Sequence, residues 1–237
     1  MKKIQAVAIL AGMMAVQSVF GLGVTITGGP GGYGPWQTGL GGEFTLQTDG
    51  TWDPAANYAS TTSNQGVVPS FQSFCVEGKE FIDPNTSYSV QLNDHTVFSG
   101  NALSKGAALL YSQFAQGTLA GYDFGAGRLG SAGLLQNAIW HLMGGQEGLT
   151  AYDASNPFEA YVVGILGSDA AASAAAGGDN LGVYVMNLTD AAGGASQDML
   201  VYLPNPNSVR TPDGGTTLML LGMGLSGLGF VSRRIRR

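Results

Sequence analysis

One cysteine and one glutamine are the residues of this chain with the clearest potential for chemistry. Cys75 lies in the segment Phe-Cys-Val-Glu at 74–77, and Gln136 lies in the segment Leu-Gln-Asn-Ala-Ile-Trp at 135–140. The chain has no second cysteine, so an intramolecular disulfide is excluded. A lone thiol is either a nucleophile or a small buried hydrophobe, and the residue type alone leaves both alternatives open.

These two segments together resemble the thioester domains of bacterial surface adhesins. In such domains an aromatic or aliphatic residue precedes a strand Cys, and a hydrophobic-Gln-x-Ala-Ile-Trp segment opens a helix. The resemblance implies that Cys75 is the thiol and Gln136 the carbonyl donor of an internal thioester. A thiolate held against the carboxamide would displace ammonia, and a target amine or hydroxyl would later attack the acyl-sulfur bond. We expect the walls of this site to be Phe74, Trp140 and Met143.

Other chemical patterns in the chain are weaker. Gly125 to Gly130 matches a dinucleotide-binding fingerprint, but no βαβ unit continues from it. His141 follows Gln136 by five residues and should face another side of the helix. The two histidines and one cysteine form no metal-ligand pattern, so the sequence predicts no cofactor and no enzyme activity. Carboxylates that could equally serve a hydrolase or a solvated acidic face are Glu77, Glu80, Asp83 and Asp94.

Short strands and amphipathic helices must position these residues. Alternating or β-branched runs predict strands at 23–27, 43–47, 71–76, 88–92, 182–188 and 198–203. Helical spacing predicts helices at 102–114 and 131–143, and a third that opens with Asn156 as N-cap and Pro157 at its first position. This order predicts an α+β fold: one β-rich domain over 23–203, a sheet or partial barrel with two to three packed helices. The thioester-like region covers about 71–144.

The N-terminus reads as a secretory signal. Lys2 and Lys3 precede a mostly apolar run to Phe20, after which the chain turns to glycine and threonine. We expect a signal peptide at 1–22, with cleavage near Gly21 or Gly23. A retained membrane anchor is the alternative, although the apolar run is short and interrupted by glutamines.

The C-terminus combines a short motif, an apolar stretch and a basic end. An apolar stretch at 216–232 is just long enough to cross a thin bilayer as a helix. The arginines behind it would stay cytoplasmic. This order resembles the sorting tail of PEP-CTERM proteins, most closely the variant with Val-Pro-Asp-Gly/Ser-Gly, and Thr211 stands in place of its valine. The residues that carry the resemblance are the motif Pro212, Asp213, Gly214 and Gly215 and the basic Arg233, Arg234, Arg236 and Arg237.

This resemblance implies processing by an exosortase-type enzyme after transport by the secretion machinery. It implies transient anchoring in the inner membrane by the C-terminal helix, then release to the cell surface or matrix of a Gram-negative bacterium that makes exopolysaccharide. A linker at 204–211, with prolines at 204 and 206, would join the domain to the sorting signal at 212–237. A permanent C-terminal anchor is the alternative.

Composition narrows the range of partners. Six of the ten basic residues lie in the two terminal segments, so the domain between them is strongly acidic. We therefore expect no nucleic-acid partner, and anionic membrane surfaces are disfavoured, since both bind clusters of lysine and arginine.

The sequence thus predicts an exported surface protein or adhesin with a covalent Cys–Gln site and an unidentified surface or matrix target. A non-covalent structural or exopolysaccharide-associated protein is the first alternative, and a secreted hydrolase the second.

Overall fold

The computed structural model describes residues 21–27, 32–38, 41–63, 66–144 and 151–205. Residues 1–20 of the predicted signal peptide, the linker from residue 206 and the sorting signal at 212–237 lie outside the described residues. The motif at Pro212 to Gly215, the apolar stretch at 216–232 and the four terminal arginines therefore stay predictions from sequence.

Six strands form one antiparallel sheet, in the order β5-β4-β1-β6-β7-β8, and two short strands form a separate hairpin, β2–β3. Alternation of buried and exposed residues along β6 shows why such runs become strands with one face inward. The strands are β1 (Leu22–Ile26), β2 (Gln37–Thr38), β3 (Gly41–Gly42), β4 (Phe44–Thr48), β5 (Ser70–Ser73), β6 (Ser87–Asn93), β7 (Val183–Thr189) and β8 (Met199–Tyr202).

The two edge strands of the sheet approach each other and nearly close it into a barrel. The amide of Leu200 donates to the carbonyl of Phe74 at 3.1 Å, and the amide of Val76 donates to the carbonyl of Asp198 at 3.1 Å. Between these bonds, Cys75 forms an isolated antiparallel bridge with Met199. We call the segments 74–76 and 198–200 the seam. The seam satisfies backbone groups that an open sheet edge would leave unpaired.

The described part of the chain also has a 3-10 helix at Pro54–Asn57, three longer α-helices and two α-helices of four residues. The α-helices are α1 (Ser60–Ser63), α2 (Lys105–Ala115), α3 (Arg128–Met143), α4 (Pro157–Leu166) and α5 (Asp169–Ala172). Ser104 caps α2 by accepting a hydrogen bond from the amide of Ala107. Asn156 caps α4 in the predicted manner, with Pro157 at its first position, and Gly144 ends α3 in the left-handed conformation.

The core lies between the sheet and helices α2 to α4, and aromatic rings fill much of it. Phe114 is fully buried and packs edge-on against Phe74 at 5.0 Å and Tyr122 at 5.1 Å between ring centroids. The hydroxyl of Tyr111 on α2 donates to the carbonyls of Gln72 and Leu200, at 2.9 and 3.0 Å. Tyr111 therefore ties α2 to both sides of the seam.

The α+β prediction is confirmed as a single β-rich domain with a nearly closed sheet and several helices. Each predicted strand and helix is present, with ends shifted by up to three residues. Among the described residues, no helix is both long and apolar enough to cross a membrane.

Candidate functional site

Cys75 and Gln136 meet in the interior beside the seam. The Cys75 sulfur lies 3.2 Å from Oε1 of Gln136, although the two residues are 61 positions apart. Cys75 is 0% exposed and Gln136 is 1% exposed. Gln136, the ninth residue of α3, is thus brought against the strand segment that carries the thiol.

The Gln136 carboxamide is held by hydrogen bonds at both of its polar atoms. Its Nε2 donates to the carbonyl of Cys75 at 2.7 Å, and its Oε1 accepts from the Cys75 thiol. Oε1 also faces the backbone amide of Gly42, at 3.4 Å. These contacts fix the rotation of the amide group, so that its oxygen faces the sulfur and its nitrogen faces the backbone.

The β2–β3 hairpin forms the roof of this site by packing against α3. A methyl group added at Gly41 would lie 2.5 Å from Cγ of Gln136 and 2.7 Å from the Trp140 ring. Such distances are shorter than van der Waals contact, so glycine is required for the hairpin to approach this closely. The roof excludes solvent from the Cys75–Gln136 pair.

Burial raises the pKa of the Cys75 thiol to about 12, so the neutral thiol predominates. Hydrogen-bond donors on Trp140 and Gln197 oppose this rise. The Trp140 indole nitrogen is buried and makes no hydrogen bond of ordinary geometry, and the Gln197 amide donates to the Glu77 carbonyl. Sequence reasoning found Trp140 from the helix face it shares with Gln136, but missed Gln197, Gly41 and Gly42 because no local pattern links them to Cys75.

Phe74 and Met143, the other two expected wall residues, have their contacts on neighbouring parts of the core. The Phe74 ring packs against Tyr111 and Phe114, because successive residues of an extended strand point to opposite sides. The Met143 sulfur accepts from the amide of Ser104 at 3.4 Å. In the described structure no hydrogen bond or ring contact joins either side chain to the pair.

His141 faces away from Gln136, as expected from its position on the helix. Its Nε2 lies 2.8 Å from Oδ1 of Asp169 and 3.8 Å from Oε2 of Glu159. His141 and Asp169 border an open cleft of about 520 Å³ between α3 and α5. The described contacts of the His141 Nε2 atom are thus with carboxylates on α4 and α5.

A buried ion pair anchors the strand that follows the roof. Both oxygens of Glu43 accept hydrogen bonds from the Arg128 guanidinium at 2.7 Å, and the Tyr122 hydroxyl donates to one of them. The guanidinium carbon lies 3.5 Å from the centre of the Trp36 ring. No sequence pattern predicts this cluster, since its members are separated by up to 92 positions and only tertiary contacts join them.

Carboxylates beside the seam have structural partners. Glu77 accepts from the amide of Ser99 at 2.9 Å, and Asp198 accepts from the amide of Val97 at 2.6 Å. They hold the loop at 94–101 against the seam. Burial and the neighbouring Glu77 raise the pKa of Glu80 to about 7.

The glycine-rich segment at the start of α3 has its backbone amides bound by a nearby side chain, that of Asp123. The Asp123 carboxylate accepts hydrogen bonds from the amides of Gly125 and Gly127, at 2.7 and 3.0 Å. It thus occupies the place where a nucleotide phosphate would bind. Within the described residues, no group of three or more His, Cys, Asp or Glu is arranged to hold a metal ion.

Comparison with known proteins bears on the C-terminus. Residues 212–235 match the VPDSG-CTERM motif. The chain therefore carries a PEP-CTERM-type sorting signal, which implies processing by an exosortase-type enzyme and is consistent with export to the cell surface. No curated protein and no solved structure shows significant similarity to the chain. None of these comparisons supports the resemblance to thioester domains.

Proposed function

We propose that this chain is an exported surface or matrix protein whose domain forms an internal thioester between Cys75 and Gln136. The observation that carries the proposal is the 3.2 Å approach of the sulfur to the carboxamide oxygen inside a closed site. Packing alone does not require a buried thiol to contact a buried amide. Here hydrogen bonds between Cys75 and Gln136 fix the orientation of both side chains. Proximity of this kind is the main requirement for a reaction between two weakly reactive groups.

The proposed reaction is balanced within the pair. The sulfur attacks Cδ of Gln136, the C–S bond forms and the C–N bond breaks. The thiol proton passes to the departing nitrogen, so that ammonia leaves and no other reactant is consumed. Because the pKa of the Cys75 thiol is raised to about 12, we expect proton transfer to accompany attack rather than to precede it.

Burial of the pair would preserve the thioester against hydrolysis. A target amine or hydroxyl must reach the carbonyl carbon, and the roof covers it. We therefore expect strands β2 and β3 to move when a target is captured. The product would be a target joined covalently to Gln136 and a free thiol at Cys75.

A non-covalent structural or exopolysaccharide-associated protein is the second candidate, and the same burial favours it. In that case the thiol donates permanently to Oε1, and the pair is a satisfied hydrogen-bonded contact of the core. Neither candidate makes the protein an enzyme.

The mass of the intact protein distinguishes these two candidates. The wild-type protein recovered from its host would be lighter than its sequence by one ammonia, and methylamine would add to it. Cys75→Ala and Gln136→Glu would each show the full mass expected from sequence and no addition. A wild-type protein of full mass with one titratable thiol would exclude the thioester and leave the structural candidate.

A second measurement uses the constraint that the bond would impose. The crosslink would join residues 61 positions apart, and by analogy with a disulfide it would stabilise the fold by about 4 kcal/mol. Opening by methylamine should therefore lower the free energy of unfolding of the wild type, whereas Gln136→Glu should be insensitive to methylamine.

The route of export is part of the proposal. We infer transport by the secretion machinery, transient anchoring in the inner membrane through the stretch at 216–232, and release at the surface of a Gram-negative cell. Replacing Pro212 and Asp213 by alanine should leave the C-terminal tail attached and the protein in the membrane fraction. Release of this variant at the wild-type mass would contradict the route.

A further inference from the structure

Two buried N–H groups face the atoms that would carry charge in the thioester reaction. The Gly42 amide points at Oε1 of Gln136, and the Trp140 indole nitrogen is buried beside the pair without a hydrogen bond of ordinary geometry. We infer that these two groups are the catalytic donors of the site, Gly42 for the carbonyl oxygen and Trp140 for the sulfur. This inference rests on the proposed thioester.

Gly42 has the position required of an oxyanion donor. Attack on Cδ moves negative charge onto Oε1, and the Gly42 nitrogen is 3.4 Å from that atom in the resting state. A long contact of this kind tightens when charge develops on the acceptor. The neighbouring Glu43 is held by Arg128 through two hydrogen bonds of 2.7 Å, so the Gly42 backbone is anchored before the reaction begins.

Trp140 acts as a hydrogen-bond donor toward the Cys75 sulfur, which is the leaving atom when the thioester reacts. Its ring and the Gln136 side chain contact the same face of Gly41, which places both against the roof. Nearly all buried N–H groups in proteins have partners, and the Trp140 N–H has no hydrogen bond of ordinary geometry in the resting state. A thiolate that forms only during the reaction would supply that partner.

The step that Trp140 would assist is the capture of a target amine. The amine nitrogen attacks Cδ, a C–N bond forms and the C–S bond breaks. The electron pair of the broken bond goes to sulfur, and the proton released by the amine follows it. An N–H group directed at the sulfur would stabilise this leaving group while its charge is highest.

Trp140→Phe in the full-length protein tests the role of the indole, because it keeps a large ring and removes the N–H group. We expect the thioester to react with methylamine about tenfold more slowly than in the wild type, followed by intact mass over time. The matched control is Trp52→Phe, which removes a similarly buried indole donor that binds the Gly23 carbonyl at 2.9 Å. The control should react at the wild-type rate, and an equal rate for Trp140→Phe would overturn the inference.

A second variant tests Gly42 and needs no side-chain change. Glycolic acid incorporated in place of Gly42 exchanges the N–H group for an ester oxygen and keeps every side chain, so it tests the donor to Oε1 independently of whether Trp140→Phe folds. We expect ammonia loss to be slower by about a hundredfold. Ammonia loss at the wild-type rate would overturn the role of Gly42. A wild-type protein that never loses ammonia would instead refute the proposed thioester itself.

Discussion

Gly41→Ala is the most direct test of how closely the roof covers the site. The added methyl group would lie 2.5 Å from Cγ of Gln136 and 2.7 Å from the Trp140 ring. Both neighbours are buried and packed on α3, so neither can retreat without displacing other core atoms. The Gly41 backbone is not in the left-handed region, so the effect is steric rather than conformational.

Overpacking of this kind typically costs about 1–3 kcal/mol of the free energy of unfolding. For a domain of this size each kcal/mol lowers the melting temperature by roughly 2–4 °C. The same clash would push the Gln136 amide away from Cys75. We therefore expect Gly41→Ala to lower both the melting temperature and, where the thioester forms, the fraction of protein that has lost ammonia.

Thermal unfolding followed by circular dichroism measures the first effect. The matched control is Gly164→Ala in α4, where an added methyl group meets no atom within 4 Å and glycine is a poor helix former. This control should be as stable as the wild type or slightly more stable. A Gly41→Ala protein with the wild-type melting temperature would show that the roof does not enclose Gln136 as described.

Three further predictions concern stability. Because Glu80 keeps its proton in the folded state to a pH of about 7, above its ordinary pKa of 4.5, stability should fall as pH rises between these values. Glu80→Gln should remove that dependence and melt higher than the wild type at pH 8 in a thermal-shift assay; equal pH profiles would contradict the assignment. Arg128→Met leaves Glu43 buried without its partner and should cost about 3–5 kcal/mol in urea unfolding, with partial recovery at low pH as Glu43 protonates. A cost below about 1 kcal/mol would refute this. Phe114→Ala should cost about 3–5 kcal/mol, while Leu134→Ala, on an exposed side of α3, should cost far less, and equal effects would contradict the described core.

Much of the fold was predictable because its signals are local. The third long helix illustrates this, since Asn156 and Pro157 specify its start by their own hydrogen-bonding and backbone preferences. The sequence did not distinguish between an open sheet and a partial barrel, so the near closure of the sheet was not predicted. Closure depends on the approach of strand segments more than 120 positions apart, such as Phe74 and Leu200, and no periodicity reports it.

The candidate site was predictable only in part. The thioester resemblance named Cys75 and Gln136, and the structure places them in contact. The expected role of Phe74 as a wall stays a prediction, since the ring contacts of its described side chain are with Tyr111 and Phe114. Gly42 was missed because it lies 94 positions from Gln136 and has no side chain to form a motif.

Local sequence signals specify the sorting signal at the C-terminus and the type and order of the helices and strands. Both depend on residues within a few positions of one another, where motif, periodicity and capping operate. Tertiary structure alone decided that the thiol would lie on the seam, that a glycine roof would cover it, and that a buried N–H group would face Oε1. These features arise from contacts between distant segments, which are selected by packing of the whole core rather than by local preference.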